Sequence, residues 1–108
     1  MSQIYNEGET VYDLEFIEGG FRYSDDHDKT LLFKDIIAIK IVTTDEGPWL
    51  PDVFWVIRTS EATITIEGDA PFFPIILVLL QKIPGFDNDI VIKAMQSTDY
   101  AEFIAYRK

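Results

Sequence analysis

The first part of the chain alternates apolar and polar residues with a period of two. Between Val11 and Ile17, one face carries Tyr12, Leu14 and Phe16 and the other carries Asp13 and Glu15, which is typical of a half-buried strand. Glu18-Gly19-Gly20 tolerates the positive φ that a tight hairpin requires, and Phe21–Tyr23 resumes the apolar face. The pattern predicts a hairpin, then a polar loop, then a short strand from Leu31 to Lys34.

Three longer strands are predicted in the middle of the chain. Asp35 marks a corner, and the segment Ile36–Thr43 that follows it is long and rich in β-branched residues. Val53–Thr59 has apolar residues on both faces, which indicates a strand that is covered on both sides. Ala62–Glu67 alternates apolar and polar residues, so we expect an amphipathic strand there.

The C-terminal third changes to a helical pattern. Phe72–Ile83 is apolar nearly all round, with Asp69 as a plausible N-cap and Pro84-Gly85 as a stop signal. We expect a core helix packed on the sheet, or a helix partly covered by a partner. A second helix is predicted from Asp89 to Gln96. The segment 101–107 fits either a closing strand or a helix face, and we favour the strand.

These elements together predict one α+β domain over residues 1–108. The expected architecture is an antiparallel sheet of six to seven strands packed against one or two C-terminal helices.

The charged residues are distributed unevenly along the sequence. The first 28 residues contain eight carboxylates and one arginine, out of a net charge of −10 for the whole chain. A surface of that sign attracts basic partners and repels nucleic acid and anionic membranes, so we expect no binding to either of these. The chain has no cysteine, no signal-peptide pattern at its N-terminus and no long apolar run, which favours the cytoplasm.

The sequence gives little support to catalysis. Asp25-Asp26-His27-Asp28 is the one cluster with ligand-like residues, but adjacent residues in one loop rarely converge on one ion. His27 is the only histidine, and no serine lies in a nucleophile-elbow motif. No glycine-rich phosphate loop is present. We therefore expect no catalytic residues, no cofactor and no metal, and a solvated loop at Asp25–Asp28.

A long loop between two predicted strands is the best candidate for binding. It carries Trp49 and Leu50 between prolines, flanked by Asp45, Glu46 and Asp52. A rigid apolar anchor surrounded by carboxylates suits a basic partner, although Trp49 can equally fold back to plug an open end of the sheet. The predicted partner-binding residues are Asp45, Glu46, Trp49, Leu50, Asp52, Asp13, Glu15, Asp25 and Asp26.

Two stretches carry a resemblance to known families. Phe21-Arg22-Tyr23 through Leu31–Ile41 resembles bacterial pleckstrin-homology-like and GRAM-like domains, in which a short strand, an acidic corner and a long isoleucine-rich strand recur. The segments 43–49, 52–56 and 80–88 resemble a set of small uncharacterised bacterial proteins. Proteins of this size and charge often serve as immunity proteins beside secreted toxins. The resemblance implies a pleckstrin-homology-like sheet and carries no catalytic residues onto this chain.

Three functions remain as hypotheses. The first is a non-enzymatic, acidic protein-binding module, most concretely an immunity-type inhibitor of a basic bacterial toxin. The second is a homo-oligomer that uses the apolar helix of residues 72–83 as its interface. The third, and the weakest, is a metal-dependent enzyme at Asp25–Asp28.

Overall fold

The computed structural model describes residues 7–45 and 53–108, and these residues form an α+β fold of eight strands and two helices. The strands are β1 (Glu9–Thr10), β2 (Leu14–Ile17), β3 (Gly20–Tyr23), β4 (Lys29–Leu32), β5 (Ile36–Thr43), β6 (Val53–Thr59), β7 (Thr63–Glu67) and β8 (Ala101–Arg107). The helices are α1 (Phe73–Leu80) and α2 (Asn88–Met95). The predicted strand Leu31–Lys34 is wrong in its bounds, because β4 ends at Leu32 and a short 3-10 turn at Phe33–Asp35 leads to the corner before β5.

The strands divide between two sheets, where the sequence pattern indicated one sheet of six to seven strands. The large sheet has the order β1-β7-β6-β5-β8, and the small sheet has the order β2-β3-β4. All neighbours are antiparallel except β1 and β7, which run parallel with Glu9 opposite Ile64. Both sheets contribute to one hydrophobic core, which contains Phe21 and Leu31 of the small sheet and Ile39, Trp55 and Ile57 of the large sheet.

The predicted strand Val11–Ile17 is in fact two pieces that belong to different sheets. The Val11 amide still donates to the Thr65 carbonyl at 2.9 Å, so this residue continues the pairing of β1 with β7. The chain then bends at Tyr12, and β2 begins only at Leu14. Alternation of apolar and acidic residues continues through the bend, which is why the pattern alone does not reveal it.

The small sheet depends on two glycines at the β2–β3 turn. Gly19 has φ 77°, a conformation that side chains other than glycine's rarely adopt. A Cβ at Gly20 would collide with the Leu31 carbonyl oxygen on the neighbouring strand β4. The predicted tight hairpin is confirmed, and its second glycine also allows β3 and β4 to approach each other.

Strand β6 is covered on both faces, as predicted. Trp55 and Ile57 are buried in the main core, and Phe54 and Val56 are buried with Val42 in a second cluster on the other face of the sheet. We call that other face, which also carries Lys40, the outer face of the large sheet.

Helix α1 packs on the core but is shorter than the predicted Phe72–Ile83. The rings of Trp55 and Phe73 lie 4.9 Å apart between centroids, which places the helix against β6. The predicted N-cap at Asp69 is wrong, because the capping position is Phe72 and no side chain caps it. Proline at the first helical positions supplies the start instead.

The C-terminal elements follow the prediction closely. The Asp87 side chain caps α2 by accepting hydrogen bonds from the amides of Asp89 and Ile90 at 3.0 and 3.2 Å. The tail is strand β8, which pairs antiparallel with β5. The preference for a strand at residues 101–107 is therefore confirmed.

Candidate functional site

The turn between β3 and β4 presents three exposed carboxylates. Asp25, Asp26 and Asp28 are all exposed. The turn is held by a hydrogen bond from the His27 amide to the Ser24 carbonyl at 3.1 Å, with positive φ at both residues. Within residues 7–45 and 53–108, no ion pair involves these three carboxylates. Their charge is directed to solvent.

Two of the predicted binding residues meet at a small hollow beside this turn. Asp13, from the connection between β1 and β2, and Asp25 both line a cavity of about 160 Å³. His27 belongs to the same lining, and its Nε2 lies 3.4 Å from Asp13 Oδ2. We call this cavity the acidic hollow. The antiparallel pairing of β2 with β3, in which Leu14 lies opposite Tyr23, brings Asp13 and Asp25 to one surface.

The remaining predicted binding residues divide into three groups. Glu15 lies opposite Arg22 across the hairpin, with Oε1 and Nη1 3.8 Å apart and both side chains about half exposed. Asp45 is exposed after the end of β5 and does not line the acidic hollow. Glu46, Trp49, Leu50 and Asp52 lie outside the described residues.

An ion-pair network on the outer face of the large sheet was not foreseen from the sequence. Lys40 Nζ lies 3.0 Å from Glu7 Oε2 and 3.2 Å from Glu102 Oε1, and Arg58 Nη2 lies 2.8 Å from Glu7 Oε1. The Tyr100 hydroxyl donates to Glu102 Oε2 at 2.7 Å. This hydrogen bond, together with Lys40, holds the pKa of Glu102 below its usual value.

The sequence contained part of the signal for this network. Lys40 interrupts an isoleucine-rich strand, which places a cation on the face opposite the core. Its partners come from distant parts of the chain, however, and pattern reasoning has no means of pairing them. The N-terminal carboxylate Glu7 is thereby neutralised by cations of β5 and β6 and does not add to an acidic surface.

A larger cleft lies between the outer edge of β4 and the turn that joins β6 to β7. Its volume is about 530 Å³, and its lining includes Glu9, Lys29 and Asp35. We call it the edge cleft. Lys29 Nζ lies 2.7 Å from Glu9 Oε1, and this hydrogen bond raises the pKa of Lys29. Burial, and then the charge of Glu9, raise the pKa of Tyr23 beside the pair.

The described part of the chain contains no group of three or more histidine, cysteine, aspartate or glutamate residues that could hold a metal ion. Asp25, Asp26, His27 and Asp28 are thus adjacent in sequence without converging on one point.

Comparisons with known proteins leave the family of this chain open. No protein-family model matches the sequence, no curated protein matches it, and no solved structure matches its fold. Over residues 7–45 and 53–108, both helices are too short to cross a bilayer.

Proposed function

We propose that this protein is a non-enzymatic module that binds a basic protein through the acidic hollow and the adjoining β3–β4 turn. The observation that carries the proposal is the convergence of Asp13 and Asp25 on one hollow, next to the exposed carboxylate of Asp26. Charge of one sign on a shaped surface speeds the encounter with an oppositely charged partner.

The most specific form of this proposal is an immunity-type inhibitor of a basic bacterial toxin. The inhibitor covers the basic active site of the toxin and blocks it sterically. The sequence resemblance and the excess of carboxylates support this form. A pleckstrin-homology-like sheet and a cytoplasmic location belong to the same proposal. Trp49 and Leu50, with Asp45, Glu46 and Asp52, are the proposed anchor for the bound partner.

The test is the rate of association with a cationic probe, an octapeptide of alternating lysine and threonine, at two salt concentrations. We expect the association rate to fall by about tenfold or more between about 50 and 300 mM salt. The variant Asp25→Asn/Asp26→Asn should lower the rate at low salt several-fold. Trp49→Ala should chiefly speed dissociation from the natural partner.

The matched control removes the same charge elsewhere. Asp69→Asn/Asp99→Asn also neutralises two exposed aspartates, but these lie outside the lining of both the acidic hollow and the edge cleft. This control should bind the probe as the unmodified chain does. Association that is independent of salt, or equal loss in both double variants, would contradict the proposal.

A homo-oligomer is the second candidate function, and one observation favours it. Ile75 and Val78 lie one turn apart on α1 and are 56% and 52% exposed, although both are large and apolar. Sedimentation at micromolar concentration tests this candidate. Val78→Lys should dissociate an oligomer built on α1, whereas Met95→Lys on α2 should leave it intact. A monomer at all concentrations contradicts this candidate.

A further inference from the structure

Strand β4 has one side that no strand occupies in the described part of the chain. It lies at the edge of the small sheet and pairs only with β3. Ile17 and Gly20 close a two-residue turn and bond to each other, so the main chain of Gly20 faces β2. Because the bonding side alternates along a strand, the main chain of Phe21 and Tyr23 faces β4 instead. The Phe33 amide donates to the Gly19 carbonyl at 2.8 Å, as expected if every second residue, Gly19, Phe21 and Tyr23, bonds on the β4 side.

Main-chain groups of successive residues alternate between the two sides of a strand, so the pairing with β3 determines which groups of β4 have no strand partner. Lys29 and Leu31 bond to β3, because they stand opposite Tyr23 and Phe21. The main-chain N–H and C=O groups of Thr30 and the N–H group of Leu32 therefore point away from β3, toward the edge cleft that both residues line, whereas the Leu32 carbonyl begins the 3-10 turn Phe33–Asp35. They form a short row of donors and acceptors of the kind that another strand can pair with.

The opposite wall of the edge cleft does not compete for these groups. The β6–β7 turn is closed by a hydrogen bond from the Thr59 amide to the Ala62 carbonyl at 2.8 Å. The Thr59 hydroxyl oxygen also accepts from the amides of Glu61 and Ala62 at 3.2 and 3.1 Å. The amides of Thr59, Glu61 and Ala62 therefore already have acceptors within the turn, whereas β4 presents open main-chain groups to the cleft.

The charges along the edge cleft favour a cationic occupant. Its lining contains three carboxylates, Glu9, Asp35 and Glu61, and one cation, Lys29. Lys29 is paired with Glu9, which leaves Asp35 and Glu61 exposed and, within residues 7–45 and 53–108, outside every ion pair. The negative field of Asp28 also reaches Lys29 and contributes to its raised pKa.

We propose that the edge cleft binds an extended, basic segment of the partner protein, which pairs as an additional strand with the outer edge of β4. This proposal rests on the proposed function and names how the partner is held. Main-chain hydrogen bonds to Thr30 and Leu32 provide the pairing, and lysine or arginine side chains of the segment meet Asp35 and Glu61. A strand as long as β4 spans roughly 13 Å, so about four residues of the segment are bound directly.

The direct test uses the lysine–threonine octapeptide and a second peptide of the same sequence that is N-methylated at every main-chain amide. The methylated peptide keeps every charge but lacks the amides that pair with a strand. We expect it to bind at least tenfold more weakly to the full chain. Amide NMR should show slower hydrogen exchange at Thr30 and Leu32 when the unmodified octapeptide is added.

Variants of β4 give a second readout. Thr30→Pro removes an open amide and should abolish the difference between the two peptides, whereas Thr30→Val keeps the main chain and should preserve it. The NMR measurement on the unmodified chain decides the question even if Thr30→Pro does not fold.

The outcomes separate the two proposals. Equal binding of both peptides, with exchange at Thr30 and Leu32 unchanged, overturns strand pairing and leaves the acidic module standing. No binding of either cationic peptide at low salt overturns both proposals.

Discussion

The outer face of the large sheet and the β3–β4 turn both carry carboxylates from the acidic first 28 residues. The carboxylate on the outer face is ion-paired, whereas those at the turn are exposed to solvent. On the outer face, Glu7 lies within 3.0 Å of cations from β5 and β6. At the turn, Asp25 and Asp26 extend into solvent without an ion pair in the described part of the chain.

The difference shows that charge density along a sequence is not charge density on a surface. Long-range pairing neutralises Glu7 and Glu9, whereas Asp25, Asp26 and Asp28 remain exposed at the β3–β4 turn. An acidic segment is therefore best divided into its paired and unpaired carboxylates before a binding role is assigned to it.

The substitution with the largest expected effect on the free energy of unfolding, Phe21→Ala, tests whether the two regions fold as one unit. Phe21 of the small sheet is fully buried in the core that both sheets share, and its ring lies 6.1 Å from that of Phe33. Phe21→Ala should lower the free energy of unfolding by about 3–5 kcal/mol, because it leaves a cavity in that core. Chemical denaturation followed by tryptophan fluorescence and by far-ultraviolet circular dichroism measures it.

Tyr12→Ala is the control for this prediction, since Tyr12 is 71% exposed and should change stability by no more than about 0.5 kcal/mol. The two spectroscopic signals should give coincident transitions. Separate transitions would mean that the small sheet unfolds on its own, and the comparison would then concern two independent units.

A smaller effect is expected from removing the cation at the centre of the outer-face network. Lys40→Met keeps the aliphatic stem but takes away the charge shared by Glu7 and Glu102. We expect a loss of about 1–2 kcal/mol at neutral pH, since Lys40 is mostly buried. Arg22→Met is the matched control, because its pair with Glu15 is half exposed and is worth no more than about 0.5 kcal/mol.

The pH dependence of this loss has a defined sign. The pKa of Glu102 is lowered in the folded state by Tyr100 and Lys40. Its stabilisation is therefore present above the unfolded-state pKa and disappears as the pH falls through the lowered pKa. The difference between Lys40→Met and the unmodified chain should shrink on acidification. A difference that stays constant with pH would contradict the assignment.

The smallest effect concerns Glu67, at the end of β7. Burial, and then the charge of Asp69, raise its pKa. A raised carboxyl pKa favours folding below the unfolded-state pKa, and that contribution is lost as the pH rises through the raised value. Glu67→Gln should therefore increase stability at neutral pH by a few tenths of a kcal/mol and lose this advantage in acid. Glu61→Gln, on an exposed turn, is the control and should leave stability at neutral pH nearly unchanged.

Local signals in the sequence were sufficient for the elements whose cause is local. The β-branched run of β5, the two-faced pattern of β6 and the existence of the second helix, α2, each depend on neighbouring residues, and each was predicted, although the Asp87 cap of α2 was not. The start of α1 was misassigned because Asp69 is a good capping residue, but no side chain caps this helix, which begins beside a proline.

The features that were missed depend on partners far apart in the chain. The division into two sheets follows from a bend at Tyr12 that leaves the alternation of side chains intact. The pairing of Glu7 with Lys40 and Arg58, and the edge cleft between β4 and the β6–β7 turn, exist only after β1 has joined β7. Of the candidate site, the sequence predicted the carboxylates but not the surfaces they form.

The position of β8 beside β5 has a consequence for synthesis on the ribosome. β6, β7 and both helices must be translated before β8 emerges, so until then β5 remains an uncovered border of the nascent sheet. Such a border, made largely of isoleucine and valine, is prone to join the same border of another nascent chain. Chains truncated before Ala101 should therefore aggregate. A chaperone that shields β5 during translation should raise the yield of the intact protein.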